Sequence, residues 1–211
     1  MKVFLAAGHG GKDPGSLGNA TNERYETIKV VSTAYTILKS EIKAPWEVVL
    51  VPHNLALEEG VRYINALSPS PERDICIEVH FNNNTGAPGT GIETYYGYRR
   101  LAEVLQKKLV DVLNLADRGV KDGSALYFNK ETKPGSALVE IGFLNNIDDL
   151  TRVQHSGALA LASGVTKFIS LLSPTTPSPL PPVVDFEQQL MTFRKTVRDI
   201  KGRIQEQLNL L

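Results

Sequence analysis

The stretch "KVFLAAGHGGKDPGSLG", residues 2 to 18, decides the fold. After Lys2 its first part is wholly apolar and short, the pattern of a strand buried on both faces. The second part is turn sequence: Gly8, Gly10 and Gly11 allow close backbone approach and positive φ around His9, and "KDPG" adds another turn. Apolar runs of the same kind recur at 47–51, 75–80, 91–96, 125–129 and 137–141. Between them lie stripes of helical period: Val30, Val31, Ala34, Ile37 and Leu38; Leu57, Val61 and Ile64; Leu101, Leu105, Leu109 and Val112; then Leu159, Ala162, Val165, Ile169 and Leu172. Strand and helix in alternation predict an α/β domain over residues 1–172, with a largely parallel, twisted sheet of about six strands covered by helices on both faces. Chemistry in such a sheet belongs in the loops at the carboxyl ends of the strands.

Composition narrows the functions open to the chain. Its 211 residues suffice for one domain with a real core and a small appendage. Lysine plus arginine and aspartate plus glutamate both number 23, so no overall field favours nucleic acid or an anionic membrane, and neither is an expected partner. The single cysteine, Cys76, makes no internal disulfide and fits synthesis in a reducing compartment. No run of about 18 apolar residues is present to span a bilayer. The apolar run after Lys2 lasts only five residues, too short for the core of a signal peptide. The expectation is synthesis in the cytoplasm without a signal peptide, with any action outside the cell following release or delivery by another route.

The strand-end rule sorts the four histidines. His9 follows the first expected strand and His80 ends the third, so the two share one edge of the sheet. His53 lies in a turn after "VVLVP", and His155 sits among polar residues before the last helix. Taken alone, His9 also reads as a solvated turn residue; the joint placement with His80 argues for more. Extrapolating the stripe Thr27, Val30, Val31, Ala34, Ile37 and Leu38 backwards at about 100° per residue puts Glu23 near the centre of the buried face. Glu26 falls about 60° to one side and remains the alternative. An acid there also suits the helix dipole, but a buried carboxylate needs a partner. A cation held by His9, Glu23 and His80 supplies it.

Two histidines and a glutamate with a fourth position open to water are the donor set of a catalytic zinc site, and the absence of thiolates disfavours a closed structural site. Such a metal suits hydrolysis of an amide or ester. The strand "ALVEIGFLNN" offers the proton shuttle: Glu140 lies in an otherwise apolar run, where desolvation raises a carboxyl pKa toward the working range of a general base.

In this order, "GHGGKDPGSLGN", a following glutamate, "IEVHFNNN", "RGVK" and "ALVEIGFLNN" resemble the zinc-dependent N-acetylmuramoyl-L-alanine amidases of the amidase-3 or AmiC type, over about residues 2–172. The resemblance implies a peptidoglycan hydrolase that cleaves the amide between N-acetylmuramic acid and L-alanine of the stem peptide, with a sheet flanked by helices. By position it implies His9, Glu23 and His80 as zinc ligands, Glu140 as the catalytic glutamate and Arg118 of "RGVK" as a substrate-binding position. Two further readings rest on the residues themselves. Period-two alternation puts Glu78 on the strand face of His80, where it can hydrogen-bond the imidazole, and Asn82 to Asn84 either line a cleft for a polar substrate or form a turn. A phage or prophage lysin, or a wall-cutting part of an envelope assembly, fits this chain better than a secreted division enzyme. The alternative is a wall-binding or scaffold module without catalysis, for which Glu140 in an apolar strand has no use.

Beyond Leu172, "SPTTPSPLPP" opens a proline-rich linker, 173–184, expected to be an extended spacer. In 185–211, Phe186, Leu190, Phe193, Val197, Ile200 and Ile204 recur at steps of four and three, with Leu208 and Leu211 continuing the seam of an amphipathic helix. A helix of this length alone in water is marginal, so its burial is expected to come from other copies of the chain or from a partner helix. Sedimentation across a concentration series tests this. The full chain is expected to self-associate and a chain ending at Ser173 to remain a folded monomer; equal monomeric masses would leave docking on a foreign helix.

Overall fold

The computed structural model describes residues 1–172; the linker and amphipathic helix expected at 173–211 lie outside the described residues. The strands are β1 (Lys2–Ala7), β2 (Leu17–Gly18), β3 (Thr21–Asn22), β4 (Glu47–Leu50), β5 (Ile75–Asn82), β6 (Ile92–Tyr96), β7 (Asp117–Asp122) and β8 (Gly135–Phe143). The helices are α1 (Glu23–Glu41), α2 (Leu57–Leu67), α3 (Arg99–Leu113), α4 (Tyr127–Glu131) and α5 (Ile147–Leu172). Six strands form one sheet in the order β4-β1-β5-β8-β6-β7, and β2 and β3 make a small ribbon beside α1. Strands β4, β1, β5 and β8 are mutually parallel, whereas β6 runs antiparallel to β8 and β7 follows β6.

Alternation along the strands divides the sheet into two unlike faces. One face presents Val3 and Leu5, Ile77 and Val79, Ala137, Val139 and Ile141, and Ile92 to the main core, under α1, α3 and α5. Helix α1 enters through Asn22, whose Oδ1 accepts the Tyr25 N–H at 2.9 Å, and buries Val30, Val31, Ala34 and Leu38. On the other face Phe4, Ala6 and Cys76 meet Val61 and Ile64 of α2 and Phe128 of α4 in a second, smaller core. Cys76 is fully buried there, and desolvation pushes its thiol up to about 12. Farther along this second face the apolar side chains stop: β8 and β6 carry Glu140, Glu93 and Tyr95 in register with the end of β5. Helices cover both faces as expected, while apolar packing fills one face and only part of the other.

Two sequence expectations are corrected. The run 125–129 is not a strand; Tyr127–Glu131 is a short helix whose Phe128 seals the second core, and the sixth strand is Asp117–Asp122 instead. That strand reads as polar because it is a sheet edge with mostly exposed or half-buried residues, and Gly119 adopts a positive φ of 82° where the register slips against β6. His155 lies inside α5 rather than before it, donating from Nδ1 to the Thr151 carbonyl at 2.8 Å.

The start of α5 locks the end of the sheet. Asp149, 1% exposed, accepts the backbone N–H groups of Gly91 at 2.9 Å and Phe143 at 3.0 Å, and the Thr90 hydroxyl at 2.7 Å. Removing the carboxylate strands two buried backbone donors, each costing about 1–3 kcal/mol, and also loses the bond from the more exposed Thr90 hydroxyl. Asp149→Ala is therefore expected to lose about 3 kcal/mol or more of stability in urea denaturation, while Asp148→Ala, at an exposed neighbour, stays within about 1 kcal/mol. Equal midpoints for the two would overturn this role.

Candidate active site

The carboxyl ends of β1 and β5 and the first turn of α1 meet at one point. After β1 the Gly8 N–H continues the ladder to the Val79 carbonyl at 2.7 Å, and the Thr27 hydroxyl donates to the Gly8 carbonyl at 3.0 Å. The chain then turns sharply, with His9 at φ 62°. Two glycines make the turn possible: a Cβ on Gly8 would sit 2.4 Å from the His80 ring, and one on Gly15, at φ 65°, would sit 2.6 Å from the His9 ring. Both imidazoles thus rest on bare backbone.

Glu23, the first residue of α1 and 3% exposed, lies between them. Its Oε2 is 3.1 Å from His9 Nε2 and its Oε1 3.0 Å from His80 Nδ1, while the backbone N–H groups of Ser16 and Phe81 each donate to it at 3.0 Å. His9 Nδ1 meets Asp13 Oδ2 at 2.8 Å, and His80 Nε2 meets Glu78 Oε2 at 3.2 Å. One ligand atom from each of His9, Glu23 and His80 falls within 4.8 Å of the others. Burial alone would raise the Glu23 pKa; the hydrogen bonds from His80, His9, Phe81 and Ser16 outweigh it and hold the carboxyl well below its usual range. Burial likewise opposes charge on His80, yet Glu23 and Glu78 carry its pKa up to about 10. Glu23 raises His9 as well, followed by Asp13.

The donor set fits a divalent cation. Asp13, Glu23, Glu78 and Glu140 surround two imidazoles, an excess of negative charge in a half-buried site that a metal ion neutralises. Asp13 and Glu78, each bonded to the second nitrogen of a histidine, set ring orientation as carboxylates do behind metal-bound imidazoles. Glu140 stands opposite His80 in the β5–β8 register. Its Oε2 is sealed from solvent with no hydrogen-bond partner among the described residues. Desolvation leads in pushing its pKa up to about 7.

Beside Glu140, in register on β6, Glu93 gathers the remaining polar residues. Its Oε2 accepts from Arg118 Nε at 2.7 Å and Lys121 Nζ at 2.5 Å, and its Oε1 from Asn82 Nδ2 at 2.9 Å and Tyr95 Oη at 3.0 Å. Desolvation acts against ionisation here too, but the two cations dominate and bring the Glu93 pKa down to about 2. On the opposite side of His80, a cleft of about 320 Å³ runs from Asp13 and Glu78 to Val51, Leu55 and Val61.

The structure brings His9, Glu23 and His80 together, with Glu140 next to His80. Glu26 is directed elsewhere, accepting from Thr21 Oγ1 at 2.9 Å and Lys29 Nζ at 3.3 Å. Arg118 and Asn82 both lie on Glu93, and Asn83 and Asn84 tie loops by bonding to the Leu17 and Ala87 carbonyls. Sequence reasoning missed Asp13, hidden in what reads as a plain "KDPG" turn, although its spacing of four from His9 was a usable signal. It also missed Glu93 and Lys121, whose meeting depends on the β6–β7 pairing.

Comparison with known proteins agrees with this fold. The profile of the N-acetylmuramoyl-L-alanine amidase family Amidase_3 matches residues 3–170. YqiI of Bacillus subtilis is 32% identical over 178 residues, covering 79% of this chain and 84% of YqiI. The N-acetylmuramoyl-L-alanine amidase LytC of the same organism is 31% identical over 161 residues, 73% of this chain but only 32% of LytC. AmiC2, an N-acetylmuramoyl-L-alanine amidase of Nostoc punctiforme, shares the fold with a TM-score of 0.71 over 81% of this chain and 97% of its own, at 23% identity. A strand-edge histidine pair closed by a helix-borne glutamate, with a second glutamate poised in the adjacent strand, thus sits in a chain that belongs to the Amidase_3 family of N-acetylmuramoyl-L-alanine amidases, hydrolases of peptidoglycan.

Proposed function

We propose that this amidase works with one zinc ion held by His9, Glu23 and His80, and with Glu140 as its general base and acid. The convergence of the three donors within 4.8 Å, next to a carboxylate oxygen without a hydrogen-bond partner among the described residues, carries the reading. Bound zinc supplies Lewis-acid activation of water and of a carbonyl. Glu140 takes a proton from the water that attacks the lactyl carbonyl carbon and delivers it to the nitrogen of L-alanine as the C–N bond breaks. The products are a muramic acid carboxylate and a free stem-peptide amine. An apolar strand suits this role because desolvation keeps the carboxylate basic enough to accept a proton. Asp13 and Glu78 hold the imidazoles, and Glu23, fixed by two backbone donors, keeps its two oxygens toward the histidines. The chain acts on the cell wall after release or delivery, in the manner of a lysin.

Purified full-length protein incubated with sacculi, with and without a chelator, tests the activity. Mass spectrometry is expected to find stem peptides with a free L-alanine terminus only in the metal-replete reaction; their absence from both would favour a wall-binding module instead. Metal analysis is expected to give one zinc per chain and its loss in His9→Ala and His80→Ala. Retention of full zinc and activity by either variant would remove that ligand. Glu140→Gln is expected to keep zinc while hydrolysis falls about a hundredfold or more. Glu23→Gln should weaken zinc binding and Glu26→Gln should not, the reverse result overturning the ligand choice.

A further inference from the structure

The Glu93 cluster is not needed to hold the metal ligands or Glu140, and its charges do not balance. One buried carboxylate faces two cations, so Arg118, Lys121 and Glu93 together carry one uncompensated positive charge on the sheet face beside Glu140. Both cationic side chains remain 39% exposed, whereas that of Glu93 is only 4% exposed. The anchor is below and the charge above.

Arg118 is held by one edge alone. Its Nε donates to Glu93 and its guanidinium carbon lies 5.0 Å from the centre of the Phe143 ring, while Nη1 and Nη2 take no partner among the described residues. A guanidinium fixed in this way presents its outer nitrogens as a fork suited to a carboxylate. Lys121, over the Tyr95 ring at 5.6 Å, keeps two further N–H groups beyond the one given to Glu93. Tyr95 and Asn82 occupy the other oxygen of Glu93 and so stop it from turning toward the solvent side.

We propose that Arg118 and Lys121, anchored by Glu93, form a receptor for a carboxylate on the peptide arm of the substrate, so that the enzyme prefers stems whose residue after L-alanine carries a free acid. The inference rests on the amidase reading above. Of the two arms leaving the scissile amide, the glycan side is neutral near the bond, because the lactyl carboxyl is itself the acyl group; the peptide side carries acids. A cationic patch one strand beyond Glu140 therefore selects the peptide. The arm lies across β6 and β7, and the muramic acid is left toward the cleft between β1 and α2. Glu93 acts as a positioning residue, touching the two cations and not the substrate.

Two soluble muramoyl peptides that differ only in a carboxylate or a carboxamide on the residue after L-alanine test this. With zinc-loaded full-length enzyme, kcat/KM is expected to be about tenfold higher for the carboxylate form, mainly through KM, as for an ionic hydrogen bond gained. Arg118→Met and Lys121→Met are expected to slow the carboxylate substrate alone and abolish the preference, with Arg118→Lys restoring part of it; each Met variant leaves buried Glu93 with one cation fewer and melts at a lower temperature, so the rates are compared below both transitions. Calorimetry of the same compounds on chelator-treated full-length protein is expected to give the same ranking without turnover. Equal affinities and equal kcat/KM for the two compounds would overturn the receptor and leave the amidase intact, as would an equal loss on both substrates in Arg118→Met. A preference in binding with no hydrolysis of either compound would support the receptor and remove the amidase reading.

Discussion

A carboxylate taken out of water at the first turn of a helix is the constraint around which this domain is arranged. Glu23 is costly where it stands unless every acceptor position is used. The imidazoles of the loop after β1 and of β5, with two backbone N–H groups, use them. Satisfying one side chain thereby ties together the loop after β1, the entry of α1 and the end of β5. The tight geometry of that loop follows: His9 takes a left-handed backbone conformation and two glycines leave room for the rings, strain that such a network can hold in place. The same network places negative charge in excess of positive, which makes the pocket a candidate site for a cation.

The reversal of β6 is the second determinant. In a wholly parallel sheet the strand beside β8 would bring only its carboxyl end to this edge. Running the other way, β6 brings residues near its start, Glu93 among them, alongside Glu140. The sheet face thus changes from apolar at Phe4, Ala6 and Cys76 to polar at Glu140, Glu93 and Tyr95 within a few strands. A fold that buries one face fully can leave part of the other to chemistry because the main core, with α1, α3 and α5, carries the packing on its own side.

What was legible in the sequence were features set by local pattern. The apolar run at β1, the glycines around His9 and the helical stripe that points to Glu23 each announce themselves within about twenty residues, because strand burial and helix phase are periodic quantities. Glu140 is legible for the same reason, as a charge where its strand should have none. Asp117–Asp122 was not, since an edge strand need not alternate in polarity, and the aromatic run after it imitated the strand it displaced. Asp13 was obscured by turn chemistry that explains an aspartate equally well. The meeting of Glu93 with Arg118 and Lys121 spans 25 and 28 residues and depends on strand order and register, which a single sequence encodes only through the whole fold.

Cys76 sits at the centre of the sheet with its thiol out of reach of solvent, its Sγ 3.9 Å from the Pro134 carbonyl and its pKa raised by burial to about 12. Thiolate is the reactive species, and this one is neither formed nor accessible in the folded domain. Alkylating reagents therefore meet a silent protein until the central strands separate, and the rate of modification becomes a clock for that opening. The same silence leaves the surface free for site-directed probes: a cysteine introduced on an exposed loop would be the one reactive thiol of the native chain, open to fluorophores or cross-linkers without any change to the core.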